Sequence, residues 1–350
     1  MKKFLFLSVI AFSSVVSVFA EENTAESLKV TPYVRLRSIS NFITRQSTID
    51  FDTSGIVVTK KFGENLSVLI DPQFLRTSSL NPLTSTTMTN YTNDTLTVYI
   101  NEAYVKINDI SRTYGDYGWT ITAGQYASPF YGLEQYYQPF RFISKPLEDR
   151  ELPNGKIDLG LMISKKFLDD VVNVSLSYIT GTSRNSQLFA SVNNDNVNAG
   201  GSRLLISLFP FKKSGDAVKD LSFTFNIKAL GRTSARSYYN FLLGYKYKRF
   251  ATSAEYLQTY SIDRAKFINA TSFGASYDIW GPIQALVRWD YQYVANTKGI
   301  RIPDHFLVMG INTKWFDGKL QTAFTYDTDR NPSTEATLSN RFMIAMQYVY

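Results

Sequence analysis

Asn340-Arg341-Phe342-Met343-Ile344-Ala345-Met346-Gln347-Tyr348-Val349-Tyr350 closes the chain, and its reading decides the fold. Counted back from the end, every second residue (Tyr350, Tyr348, Met346, Ile344, Phe342) is large and apolar. The residues between them, Val349, Gln347, Ala345, Met343 and Arg341, are smaller or polar. A period of two belongs to a strand whose two faces meet different media. In water, an aromatic end with no polar tail would leave an aggregation-prone edge. In lipid the same strand makes sense if it pairs with the first strand, because closing a barrel satisfies a sheet's edges there.

This ending also resembles the C-terminal signature of outer-membrane barrel proteins, which implies outer-membrane lipid and the barrel assembly machinery as partners. The other end agrees. Met1-Lys2-Lys3 is a basic start, Phe4 to Phe19 is apolar apart from four serines, and Val18-Phe19-Ala20 offers small cleavage residues. Residues 1–20 therefore read as a signal peptide, and 21–350 as one barrel domain. The apolar stretch is short for a membrane anchor.

Composition excludes several classes. With no cysteine, there is neither a disulfide nor a lipid anchor. After residue 20 no stretch approaches the length of an apolar helical span. Mean hydropathy is slightly negative, yet there are 25 Phe and 23 Tyr. A barrel accommodates both, since half of each strand faces a wet lumen and aromatics girdle the interfaces. The formal charge is +7, and +5 once Lys2 and Lys3 are removed. That mild excess hints at anion preference; without a basic run or a binding motif it is no nucleic-acid footprint.

The alternation repeats along the chain as about sixteen strands. Leu28 to Ser38 places Leu28, Val30, Pro32, Val34 and Leu36 opposite Lys29, Thr31, Tyr33, Arg35 and Arg37. Further strands fall near 45–60, 65–76, 96–108, 118–125, from 157, from 172, then 202–210, 220–231, 236–247, 249–262, 267–279, 283–294, 305–316, 319–327 and 336–350. Tight turns at Phe62–Asn65, Leu168–Asp170, Tyr247–Arg249, Trp280–Pro282 and Phe316–Lys319 fall at even-numbered connections. Long polar stretches at 77–94, 127–155, 181–202 and 328–335 fall at odd ones. Short turns on one side and long loops on the other are the asymmetry of an outer-membrane barrel.

Residues 127–155 form the third outer loop, aromatic, charged and stiffened by prolines, as suits a loop folded into the lumen. Within and around it, Gly124-Gln125-Tyr126-Ala127-Ser128-Pro129-Phe130, Glu134, Phe142-Ile143, Asp149-Arg150 and Asp158-Leu159-Gly160-Leu161 resemble the phosphate-selective porin O and P family. The likeness covers about forty residues, with weaker echoes at Ala254-Glu255-Tyr256 and Arg288-Trp289-Asp290-Tyr291. It implies a sixteen-stranded homotrimeric barrel that passes anions, phosphate among them. The family's arginine ladder cannot be placed residue by residue on this chain.

Parity makes Arg35, Arg37 and Arg341 inward neighbours across the closure seam, joined on the inner wall by Arg288 and Lys106. Such cations in a narrow lumen favour anions; the plainer reading is a solvated wall neutralised by Asp290 and Glu102. In the loop, Phe130, Tyr131, Glu134, Arg141, Lys145 and Arg150 are the constriction candidates, although Glu148, Asp149, Arg150 and Glu151 can instead pair among themselves. An enzyme is disfavoured: His305 is the single histidine and no Gly-x-Ser-x-Gly occurs. No cofactor or metal is called for, and Asp50/Asp52 and Asp327/Asp329 are weak calcium pairs. The sequence thus predicts a passive diffusion channel for small anions or other hydrophilic solutes in a Gram-negative-type outer membrane. A general or cation-preferring channel and a surface-binding barrel are the alternatives.

Overall fold

The computed structural model describes residues 28–41, 46–78, 94–110, 118–138, 147, 157–182, 200–212, 220–230, 236–261, 266–296, 301–330 and 338–349. The expected signal peptide, Arg141, Lys145, Arg150 and Tyr350 lie outside the described residues. The first strands are β1 (Leu28–Asn41), β2 (Gln46–Phe62), β3 (Leu66–Ser78), β4 (Asp94–Ile110) and β5 (Trp119–Ala127). After helix α1 (Pro129–Tyr137) come β6 (Ile157–Phe167), β7 (Val172–Thr182), β8 (Gly201–Leu208), β9 (Ser222–Leu230) and β10 (Arg236–Tyr247). The last are β11 (Phe250–Ser261), β12 (Lys266–Trp280), β13 (Ile283–Asn296), β14 (Arg301–Trp315), β15 (Leu320–Arg330) and β16 (Leu338–Val349). Each strand pairs antiparallel with its sequence neighbours, and β1 pairs with β16 to close the sheet. Several boundaries move outward from their expected places, the furthest being β1 to Asn41, the start of β14 to Arg301 and the end of β15 to Arg330.

The two faces invert the pattern of a soluble sheet. On β9, Ser222, Thr224, Asn226 and Lys228 are buried while Phe223, Phe225 and Ile227 are exposed. β13 repeats this with Arg288 and Asp290 buried and Val287 and Trp289 exposed, and β16 exposes Phe342 and Ile344. Exposed apolar residues are stable only where the surroundings are hydrocarbon, so that face is the lipid face and the polar one lines the lumen. Near the even turns, lysines lie over the outward aromatics, Lys60 on Phe62 and Lys165 on Trp119 and Phe167. This is the amphipathic girdle expected at an interface. His305 is exposed and packs outside against Tyr291, with the rings tilted and their centroids 4.9 Å apart.

The even turns are tight because residues there adopt left-handed backbone. Leu168, Asp169 and Asp170 have φ of 53°, 55° and 70°, and Val171 N–H donates to the Leu168 carbonyl. Asp tolerates this region; Leu does so at a cost. Asp170 accepts from Lys166 and Lys212, at 3.1 and 3.2 Å. Partial burial opposes its ionisation, but hydrogen bonds and charge from both lysines outweigh that and hold its pKa below the usual 3.8. A carboxyl depressed in the folded state contributes stability above its unfolded pKa and loses it as pH falls through the folded value. Asp170→Asn is therefore expected to lower the urea midpoint at pH 7, with the difference from wild type closing below about pH 4. A gap that keeps its full pH 7 size as the pH is lowered would show that the ion pairs are not its source.

Candidate functional site

The site is the inner wall and the helix lying on it. Its local structure begins at Gly124, where φ is 123° and an added Cβ would meet the Ala103 carbonyl oxygen at 2.3 Å. Only glycine lets β5 pass that close to β4. The next residue, Gln125, donates through Nε2 to the Ile100 and Asn101 carbonyls, both at 2.8 Å. Those carbonyls sit at a bulge, where β4 carries the extra residue Asn101 against β3. Ser128 then caps α1 by accepting from Tyr131 N–H, and Pro129 occupies the first turn. The sequence reading left 129–137 as loop. Gly132 and several aromatics depress its helix propensity, while the cap, the proline and tertiary packing restore it.

α1 packs on the lumen face of β8 to β12. Phe130, Leu133 and Tyr137 cluster with Leu205 and Leu242, and Leu147 from later in the loop packs on Tyr238, Leu257, Ile268 and Ala270. These apolar positions coincide with the loop's footprint; a further inward apolar cluster, built on Leu286, Phe306, Val308 and Met343, lies on β13 to β16. Tyr137 donates to the Asp220 carbonyl at 3.0 Å. Burial, with help from Asp220, pushes its pKa up to about 12 against the hydrogen bond with Ser222, so it stays a neutral donor. Gln138 donates to Ser253, and its side chain lies over Gly274 on β12. Among the constriction candidates, Phe130, Tyr131 and Glu134 are thus all buried on α1.

Register separates the seam arginines. Arg35 pairs with Gln347 and donates to its Oε1 at 2.9 Å, whereas Arg341 lies opposite Asn41. Six residues of strand put about 20 Å between them, so the expected seam cluster does not form. Arg37 pairs with Ala345 by backbone, and its side chain lies outside the described residues. Arg341 instead grips Asp327 across β15 and β16, Nε to Oδ1 at 2.8 Å and Nη2 to Oδ2 at 3.1 Å. Arg288 bonds Asp290 at 2.9 Å on its own strand. Lys106 faces inward between exposed Val105 and Ile107, with no hydrogen bond or ion pair among the described residues.

Sequence reasoning missed the most deeply buried charges. Asp158 on β6 receives Arg203 Nε from β8 and Lys228 Nζ from β9, both at 2.8 Å, and all three side chains are at most 1% exposed. Arg203 also donates to Tyr238 Oη at 2.9 Å. The alternation of β9 places Lys228 inward, which was the available signal. Its partner lies 70 residues away in sequence, and only the barrel's curvature brings the two together. Another inward carboxylate, Asp71, accepts from Tyr33, Gln73 and Asn101 beside the β4 bulge.

No family model and no curated protein matches the sequence, so the resemblance to phosphate-selective porins rests on the residues around the third loop. The fold has solved counterparts. OmpF of Salmonella typhi, in complex with daunomycin, superposes with a TM-score of 0.67 at 11% identity, over 94% of this chain and 99% of that one. DcaP, an outer membrane channel of Acinetobacter baumannii, gives 0.62 at 11% identity, covering 94% and 99%. OmpT, an outer membrane protein of Vibrio cholerae, gives 0.61 at 12% identity, covering 95% and 100%. At such identity the likeness is one of fold: this chain is a sixteen-stranded outer-membrane β-barrel of the porin type.

Proposed function

We propose that the protein is a passive diffusion channel for small hydrophilic solutes, with α1 as its constriction. The observation that carries this reading is the largely polar inner wall with a capped helix held against it by Phe130, Tyr137 and Gln138. A barrel of sixteen strands is wide enough to leave water inside, and an inward helix narrows that bore. The size cutoff set by the third loop and a homotrimer belong to this proposal; the trimer is supported by a neighbour, OmpT of Vibrio cholerae, solved in a trimer form.

Anion preference is the finer part, and the wall's chemistry supports a mild one. Arg341, Arg288, Arg203 and Lys228 each bind a carboxylate, which offsets the field they would otherwise impose. Among the described residues, the remaining bias comes from inward lysines such as Lys106 and Lys246, the latter over the Tyr136 ring, and from the overall basic charge. Refolded protein in a planar bilayer under a potassium chloride gradient is expected to show a zero-current potential on the chloride side, at a permeability ratio of only about two to five. Arg341→Gln is expected to shift that ratio by less than about twofold, because it releases Asp327 as it removes a cation. Cation preference in the wild type would transfer selectivity to the wall carboxylates, and the absence of conductance would overturn the channel.

A further inference from the structure

Beneath the first turn of α1, the lumen faces of β4, β5, β6 and β7 enclose a recess of about 320 Å³. It runs from Ala127 and Pro129 at the helix to Lys166 and Asn173, two residues from the Leu168 turn. That volume suits a small solute rather than a bare ion.

Its polar lining is incompletely bonded, and here the unpartnered atoms face an open volume. Thr122 is 2% exposed, and its hydroxyl has no hydrogen-bond partner among the described residues. Asn173 Oδ1, at the far end, is likewise buried without one. A buried polar atom left unpaired costs free energy that a ligand group can recover. Lys106 is the direct cross-strand partner of Thr122 and carries a charge that no described carboxylate binds. The other charges of the recess are engaged: Glu102 accepts from Ala127 N–H at 3.3 Å, Lys165 turns outward over the Trp119 and Phe167 rings, and Lys166 is held by Asp170 at 3.1 Å.

The geometry points to a binding recess for a small hydroxylated monoanion of the sugar-acid class, which extends the channel reading above and rests on it. Lys106 takes the carboxylate, Thr122 bonds the adjoining oxygen atoms, and Asn173 Oδ1 accepts from a hydroxyl at the other end. One uncompensated ammonium matches one negative charge. Glu102, in the same recess, opposes a second charge and so disfavours a dianion.

The test is current block by sodium gluconate, with glucose and inorganic phosphate as comparisons, each scored against the variant's own open current. Gluconate is expected to block saturably, and glucose to need about tenfold more, the ratio that one charge-assisted hydrogen bond provides. Lys106→Gln is expected to raise the half-blocking concentration of gluconate about tenfold and leave that of glucose unchanged; Thr122→Val raises both about fivefold. Lys60→Gln, on the outer girdle, leaves both unchanged. Heat-modifiable migration on gels reports that each variant has closed its barrel.

Gluconate block that ignores both recess substitutions would overturn the site. Equal block by glucose would remove the charge assignment, and tighter block by phosphate would remove the sugar-acid class. A protein without conductance would refute the channel, and calorimetric titration of gluconate into detergent-refolded wild type and Lys106→Gln would then decide the recess by itself.

Discussion

Asp158→Ala is expected to be the most damaging single substitution in this barrel, costing roughly 3–5 kcal/mol. The carboxylate is fully buried and is held by one guanidinium and one ammonium, each at 2.8 Å. Its removal leaves Arg203 and Lys228 at 1% exposure with like charges facing one another. Desolvation of two cations, formerly offset by one anion, then works against the folded wall. The measurement is the temperature at which the barrel loses its compact migration on gels, followed in parallel by circular dichroism. The triple variant Asp158→Leu, Arg203→Met, Lys228→Met buries no charge and is expected to recover most of the loss. If the single variant melts within a degree or two of wild type, water reaches these groups and the trio is not an anchor.

The trio also shows where sequence reading stops. Strand number, lipid face and closure seam follow from a period of two, because lipid enforces the outer half of that pattern on every strand. The short turns were legible for a similar reason: Leu168-Asp169-Asp170 and Phe316-Asp317-Gly318 sit between alternating runs and take left-handed backbone. Lumen chemistry obeys no such rule. Parity places Arg35, Arg288, Arg341 and Lys106 inward, but which carboxylate each meets depends on register and curvature. Arg341 meets Asp327 through one register, and Arg35 is carried about six residues away from it by another. Helix α1 was hidden because its stability is tertiary. A sign of the inward loop lay on other strands, in apolar inward residues: Leu205 and Leu242 lie under α1, and Leu257 and Ile268 under Leu147.

That footprint makes Gly244 the position from which α1 can be dislodged. An added Cβ on Gly244 would meet the Tyr137 ring at 2.2 to 2.6 Å, and the obstacle is the body of a buried ring that has no room to turn. Gly244→Leu therefore expels Tyr137 from its cluster with Phe130, Leu205 and Leu242 and breaks its bond to the Asp220 carbonyl. Losing a buried aromatic anchor costs about 3–5 kcal/mol, more than the cap at Ser128 and the Gln138 contact hold by themselves. A helix about 10 Å across then leaves the bore, and unit conductance in potassium chloride is expected to rise about twofold while the barrel stays closed, because the new side chain enters the lumen and leaves the backbone pairing of β10 with β9 and β11 in place. Gly132→Ala is the matched control. It lies in the same helix with nothing within 4 Å of an added Cβ, so it should strengthen α1 by up to about 1 kcal/mol and leave conductance alone. If Gly244→Leu conducts like wild type, α1 does not set the cross-section, and the cutoff belongs to loop residues beyond it.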